Sequence, residues 1–169
     1  SVLACEHESR SITRYSREGE LTTLADNYRG KRFNSPNDAA YGPEDYLYFT
    51  DPPYGLEKNM NDPAKELDFQ GVFKVDKNGL VTLLTKELSR PNGIAFSPDY
   101  KKLYVANSDP EKAIWMVYDV DEKGMLQIQC QYLLYSGSGY PCISMSLLLT
   151  MDIGSEPLAD RQICQKRSV

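Results

Sequence analysis

The sequence predicts an all-β fold, a β-propeller assembled from four-stranded sheets, and three observations carry that expectation. First, Ser35-Pro36-Asn37-Asp38, Pro43-Glu44-Asp45 and Leu47-Tyr48-Phe49 are echoed by Arg90-Pro91-Asn92-Gly93, Pro98-Asp99 and Leu103-Tyr104-Val105, which sets Asn37 and Asn92 55 residues apart. Second, a strand, a polar turn closed by Gly, and another strand recur three times. Third, convincing helical periodicity is scarce. Internal repetition at this spacing, made of short strands, is the mark of propeller blades. A β-sandwich is the weaker alternative, because it gives no reason for turn and strand to recur in register.

The recurring hairpins are Ile12-Thr13-Arg14-Tyr15 through Arg17-Glu18-Gly19 to Leu21-Thr22-Thr23-Leu24, Val72 to Val75 through Asp76-Lys77-Asn78-Gly79 to Leu80-Leu84, and Trp115 to Tyr118 through Asp121-Glu122-Lys123-Gly124 to Met125-Ile128. Each pairs β-branched and aromatic runs across a Gly turn. Together with the Pro-Asn element they make a unit of four strands. Between them, Asp51 to Gln70 lacks alternation and carries Pro52, Pro53, Gly55 and Pro63. Asp62 and Pro63 could open a helical turn over 62–67, but a long loop acting as a wall or lid is the expectation. Past Tyr140 the periodicity stops: Pro141-Cys142 stands where a third Pro-Asn-Gly or Pro-Asp-Gly is due. The expected organisation is therefore a repeat domain over 1–141 and a diverged or misjoined tail over 142–169.

Bulk properties narrow the function classes. The 169 residues carry a formal net charge of −5 with 19 basic side chains. That balance leaves no basic footprint for nucleic acid or an anionic membrane. The longest apolar run, Leu147-Leu148-Leu149, is far short of the roughly 20 residues that cross a bilayer. No charged segment followed by an apolar stretch opens the chain, so no secretory signal is read. The compartment stays open, with the cytoplasm as default. Cys5, Cys130, Cys142 and Cys164 are widely spaced, which removes the usual zinc and redox spacings and makes reduced thiols the default.

Candidate chemistry centres on Asn37 and Asn92. Equivalent positions of successive blades converge on one axis, and two amide oxygens meeting there are hard ligands for Ca²⁺ or Mg²⁺. Each Asn taken alone could simply make an Asx-turn after Pro; their repetition favours the ligand reading. Asp38, Asp51 and Asp109 are the carboxylates placed to help, with Asp51 and Asp109 read as equivalent strand ends. Tyr54 and Arg90 could line a pocket. His7, the single histidine, is a candidate base, although a lone His is more often structural. Nucleophile elbow, P-loop and dinucleotide fingerprint are all absent from the sequence.

At these residues the chain resembles the gluconolactonase, regucalcin (senescence marker protein) and lactonase superfamily of six-bladed propellers. The resemblance is carried by Ala4-Cys5-Glu6-His7, Gly30 to Asp38, Tyr48 to Leu56 and Arg90 to Asp99, and covers Val2 to Pro141. It implies a partial propeller of about three blades and one divalent cation, commonly Ca²⁺, with Zn²⁺ or Mg²⁺ as substitutes. In the family a Glu, two Asn and an Asp hold that ion. Asn92 resembles the metal-binding Asn, and Asn37 the second Asn, which meets metal or substrate. His7, Asp38, Asp51, Tyr54 and Asp109 are carried as substrate-side candidates. The implied reaction opens a small sugar lactone to its aldonic acid by water attack, an Asp acting as base; Cys142 stands at that place, and the Glu lies outside this sequence. The competing expectations are a calcium-binding propeller module without chemistry and an inactive truncated product.

Overall fold

The computed structural model describes residues 1–133, with side chains described through Gln127. Pro141, Cys142, the boundary at 141/142 and the tail over 142–169 lie outside the described residues. Among the described residues four antiparallel sheets form, three of them blades. The first has strands β1 (Val2–Glu6), β2 (Ser11–Tyr15) and β3 (Leu21–Ala25), and a two-stranded hairpin of β4 (Asn27–Tyr28) and β5 (Lys31–Arg32) follows. The second blade is β6 (Ala39–Tyr41), β7 (Leu47–Asp51), β8 (Gly71–Val75) and β9 (Val81–Thr85). The third is β10 (Pro91–Phe96), β11 (Lys102–Asn107), β12 (Ile114–Val120) and β13 (Leu126–Leu133). Strand order within each sheet follows chain order, so the blades are meanders and the four-stranded unit expected from the repeat is present twice. These sheets are part of a β-propeller.

Alternation of side chains across each strand decides how the blades stack. In β7, Leu47 and Phe49 face a cluster with Ile12 and Ala25 of the first blade, and with Phe33, Leu67, Phe73 and Val75. Tyr48, on the opposite face, joins Val72 and the third blade's Ile94, Phe96, Leu103, Val105, Ile114, Met116 and Tyr118. The central blade is thus sandwiched, and every residue of β7 and β8 is buried. Burying a large apolar side chain contributes about 1.5–3 kcal/mol, and the rings add directional contacts. Phe33 meets Phe49 edge-on at 5.0 Å, Phe49 stacks on Phe73 at 5.3 Å, and Tyr48 meets Phe96 edge-on at 4.8 Å.

The three hairpin turns share one device. Asp76 Oδ1 accepts the N–H groups of Asn78 and Leu80, both at 2.8 Å, and Gly79 takes φ +82°. Asp121 Oδ1 likewise accepts from Lys123 at 2.9 Å and Met125 at 2.8 Å, with Gly124 at φ +70°. In the first blade Ser16 Oγ replaces the carboxylate, accepting from Glu18 and Glu20 at 3.1 Å. Glycine is needed because that left-handed conformation strains any residue bearing a Cβ. A register shift breaks each outer ladder just ahead of its turn, at Ile12/Thr13, Val72/Phe73 and Val117/Tyr118. Such bulges sharpen the local twist.

Polar ties lock the second blade to the third. Tyr48 Oη donates to the Gly124 carbonyl at 3.1 Å, and Lys74 Nζ donates to the Lys123 carbonyl at 2.6 Å while lying 4.8 Å over the Tyr46 ring. The helical turn considered over 62–67 does not continue. Asp62 instead accepts from Lys58 through one oxygen and Ala64 through the other, both at 2.8 Å, so it closes a loop. Phe73→Ala should lower unfolding free energy by about 3–5 kcal/mol, because it empties the centre of an aromatic cluster. Tyr48→Phe should cost only about 1 kcal/mol. Denaturant midpoints of the two variants check the contrast.

Candidate functional site

Asn37 and Asn92 occupy matching places where the chain enters adjacent blades, and β10 packs against β6 and β7. Thr50 joins them. The Asn37 N–H donates to the Thr50 carbonyl at 3.0 Å, the Thr50 N–H donates to the Asp38 carbonyl at 3.0 Å, and Thr50 Oγ1 donates to the Asn92 carbonyl at 2.6 Å. Asp38 adds a second clasp: its Oδ2 accepts the Ile94 N–H and its Oδ1 the Ala39 N–H, each at 2.9 Å. Thr50 is fully buried, whereas Asn37, Asp38 and Asn92 are half-buried. Both asparagine backbones are therefore fixed to one buried residue.

Asp51 and Asp109 turn out not to be equivalent. Aligned strand to strand, Leu47-Tyr48-Phe49-Thr50-Asp51 matches Leu103-Tyr104-Val105-Ala106-Asn107, and the counterpart of Asp51 is Asn107. Asp51 accepts the N–H groups of Asn34 and Ser35 at 2.8 Å, and Asn107 Oδ1 accepts the Arg90 N–H at 2.7 Å. Each strand-end polar group thus holds the segment leading into its blade's Pro-Asn. Asp51 is completely buried, and both its oxygens are engaged by backbone, so it does not offer itself to a substrate. Asp109 takes the Ser89 hydroxyl at 2.6 Å and the Glu111 N–H at 3.1 Å, and those bonds, Ser89's foremost, hold its carboxyl below the usual range.

The loop over 52–70 reaches both neighbouring blades. Tyr54 Oη is hydrogen-bonded to Ser108 Oγ beyond β11, and Asn92 Nδ2 donates to the same Ser108 Oγ at 3.3 Å. On the other side, Arg10 Nη1 donates to the Ala64 carbonyl at 2.9 Å and the Arg32 N–H donates to Glu66 Oε2 at 2.7 Å. His7 is exposed and packs close to Gly55, where a Cβ would lie 2.6 Å from His7 Cβ and 2.8 Å from Ser35 Cβ. Cys5 holds in the first blade the place Thr50 holds in the second: Cys5 pairs with Ile12, and Thr50 with Val72, each on the next strand of its own blade. Burial, then the negative charge of Asp38, pushes its thiol up to about 12.

The structure brings Asn37, Asp38, Asn92 and Tyr54 together through Thr50 and Ser108. It leaves Asp51 beneath them, Asp109 as a loop cap and His7 beside Gly55. Thr50, Asn107 and Ser108 were not singled out from sequence, although laying the two repeats over each other would pair Thr50 with Ala106 and Asp51 with Asn107. As donors, the two asparagines suit a hard cation: Asn92 has its amide nitrogen on Ser108, which leaves the carbonyl end for a ligand. Among the described residues no three His, Cys, Asp or Glu side chains cluster to hold a metal, so a cation here would take at most part of its coordination from the two asparagines.

Burial raises the Asp51 carboxyl to about 7, against the pull of its two amide bonds, Arg10 and Lys65. The folded protein keeps that proton up to about 7, whereas an unfolded Asp releases it near ~4. The contribution of Asp51 is consequently greatest below ~4 and is lost as pH rises through 7. Urea midpoints should show this fall, and Asp51→Asn should flatten it. Gly55→Ala should push the loop off His7 and Ser35, with crystallography showing Tyr54 displaced from Ser108.

The SMP-30/Gluconolactonase/LRE-like region family matches residues 1–133. A gluconolactonase of Zymomonas mobilis is 47% identical over 106 residues, 63% of this chain and 30% of that protein. The lactonohydrolase oryL of Aspergillus oryzae is 34% identical over 96 residues, 57% of this chain and 22% of that one. The solved gluconolactonase XC5397 of Xanthomonas campestris superposes with a TM-score of 0.64 at 34% identity, over 73% of this chain and 42% of its own. This chain accordingly spans less than half the length of each of these relatives. With the repeat, the blades and a match over residues 1–133 in agreement, the chain belongs to the SMP-30/gluconolactonase/LRE-like family.

Proposed function

We propose that these blades belong to a propeller that hydrolyses a small sugar lactone at a divalent cation, Ca²⁺ foremost, held in part by Asn37 and Asn92. The observation that carries the reading is the Thr50 bridge, which fixes the two repeated asparagines to a single buried residue between adjacent blades. The gluconolactonase and lactonohydrolase relatives support the lactone as substrate class. A bound divalent cation supplies Lewis-acid polarisation of a carbonyl and lowers the pKa of a bound water.

The chain's own residues do the rest. Asn37 and Asn92 present neutral oxygens of the kind such an ion takes. Thr50 and Asp38 hold the two blade entrances at a fixed separation, so a ligand pair does not have to be reassembled on binding. Tyr54 brings a hydroxyl to the Asn92 side of the site, where it and the Asn92 amide share Ser108. Asp51 is not the base, because both its oxygens are occupied inside the protein.

A second reading, a calcium-binding module without chemistry, is favoured by one observation: both oxygens of Asp38, the carboxylate nearest the asparagines in chain order, are taken by backbone amides. One experiment separates the readings. Ca²⁺ at a hundredfold excess over Kd should stabilise the wild-type chain by about 2.7 kcal/mol in thermal melts, and Asn92→Ala should abolish the shift. Chelator-sensitive hydrolysis of gluconolactone above the spontaneous rate supports the hydrolase. A Ca²⁺ shift without hydrolysis selects the module, and no Ca²⁺ response overturns the cation site.

A further inference from the structure

Asn92 has two ends that a cation would not treat alike, a carbonyl oxygen that coordinates and an amide nitrogen that repels. Something must decide which end faces the site. Ser108 Oγ lies 3.3 Å from Asn92 Nδ2, 3.2 Å from the Arg90 carbonyl oxygen, and in contact with Tyr54 Oη. A serine hydroxyl has one proton and two acceptor sites. The Arg90 carbonyl can only accept, so the proton of Ser108 goes there. The two remaining partners must both donate, which assigns Tyr54 as a donor and requires the nitrogen of the Asn92 amide, not its oxygen, to face Ser108. The Ser108 N–H donates to the same Arg90 carbonyl at 3.0 Å, which keeps that acceptor in place.

We propose that Ser108, supported by Tyr54 and the Arg90 carbonyl, is a positioning residue that locks the orientation of the Asn92 amide and so aims its oxygen at the cation. The inference rests on the cation reading above. Thr50 holds the Asn92 backbone through its carbonyl, and Ser108 holds the far end of the side chain. The arrangement draws together β10, the residue after β11, and a loop that leaves the preceding blade. Partners of this kind, standing behind a ligand rather than beside the ion, are worth roughly 10- to 100-fold in metal affinity.

The test uses the full 169-residue chain as wild type, Ser108→Ala, Ser108→Thr and Tyr54→Phe. Calorimetric titration with Ca²⁺ alone should show roughly 10- to 100-fold weaker binding for Ser108→Ala, a smaller loss for Tyr54→Phe, and recovery for Ser108→Thr, which restores the hydroxyl. Melting temperatures without Ca²⁺ should stay close together, a pattern that a merely structural role would not give. In NMR spectra without Ca²⁺, the Asn92 Nδ2 protons should exchange slowly with water and show a cross-peak to the Ser108 β-protons, and both features should vanish in Ser108→Ala. If wild type binds no Ca²⁺ while Ser108→Ala still releases the amide, the cation reading fails and the positioning role stands. Unchanged affinity and unchanged amide protection in Ser108→Ala overturn the positioning role. So does rapid exchange of the Asn92 amide in the wild-type chain, which decides the matter even where the alanine variant does not fold.

Discussion

Strand β7 is the constraint on which the rest depends. Its five residues point alternately to two different cores, Leu47 and Phe49 toward the first blade and Tyr48 toward the third. A one-residue slip would exchange those faces and put Thr50 where Phe49 belongs and Asp51 on the Tyr48 face. Register here is therefore set by burial on both sides, a stronger specification than a sheet with one wet face enjoys. The polar end of the same strand inherits that precision. Thr50 and Asp51 are buried because Phe49 and Tyr48 are, and being buried they must find hydrogen-bond partners. Those partners are the backbone groups that introduce Asn37 and Asn92.

The site thus follows from packing. Two unpartnered backbone donors at Asn34 and Ser35 would each be costly in the interior, and Asp51 answers both. In the next blade the same task falls to an amide: Asn107 accepts from Arg90 and donates through Nδ2 to the Lys112 carbonyl at 2.8 Å. A carboxylate and an amide can stand in for each other at this position because what the position requires is an acceptor at the strand end. Charge is incidental there, which is why burial can raise Asp51 toward neutrality without dismantling the loop.

Much of this was legible in the sequence, for physical reasons that differ by residue. The turns could be read because a tight hairpin demands a left-handed residue, leaving Gly19, Gly79 and Gly124 as markers. The blades could be read because β-branched and aromatic runs recur between those markers. The bulges could not, since the extra residue in each ladder has no side-chain signature. The equivalence of Asp51 with Asp109 fails because residue type alone does not report strand position, and at the strand end an Asp answers an Asn. Ser108 was hidden for another reason. Its partners, Tyr54 and Asn92, come from a loop and a strand of different blades, and nothing local to Ser108 announces either.

That last point bears on how a repeat fold acquires chemistry. Repetition alone would make every blade entrance alike, with an Asn after each Pro and no distinction between them. What differs is what stands behind each asparagine. Asn37 is secured through main-chain pairing with Thr50 inside its own blade, whereas Asn92 is secured from outside, by the Thr50 hydroxyl and by a serine that a tyrosine of the preceding blade's loop also engages. The hydroxyl of Thr50 has no counterpart in Ala106, its match in the third blade. The two repeats are consequently alike in backbone and unlike in support, so that the second asparagine depends on the packing of one blade against another while the first does not. A ligand bridging both would couple local order in one blade to the interface between two.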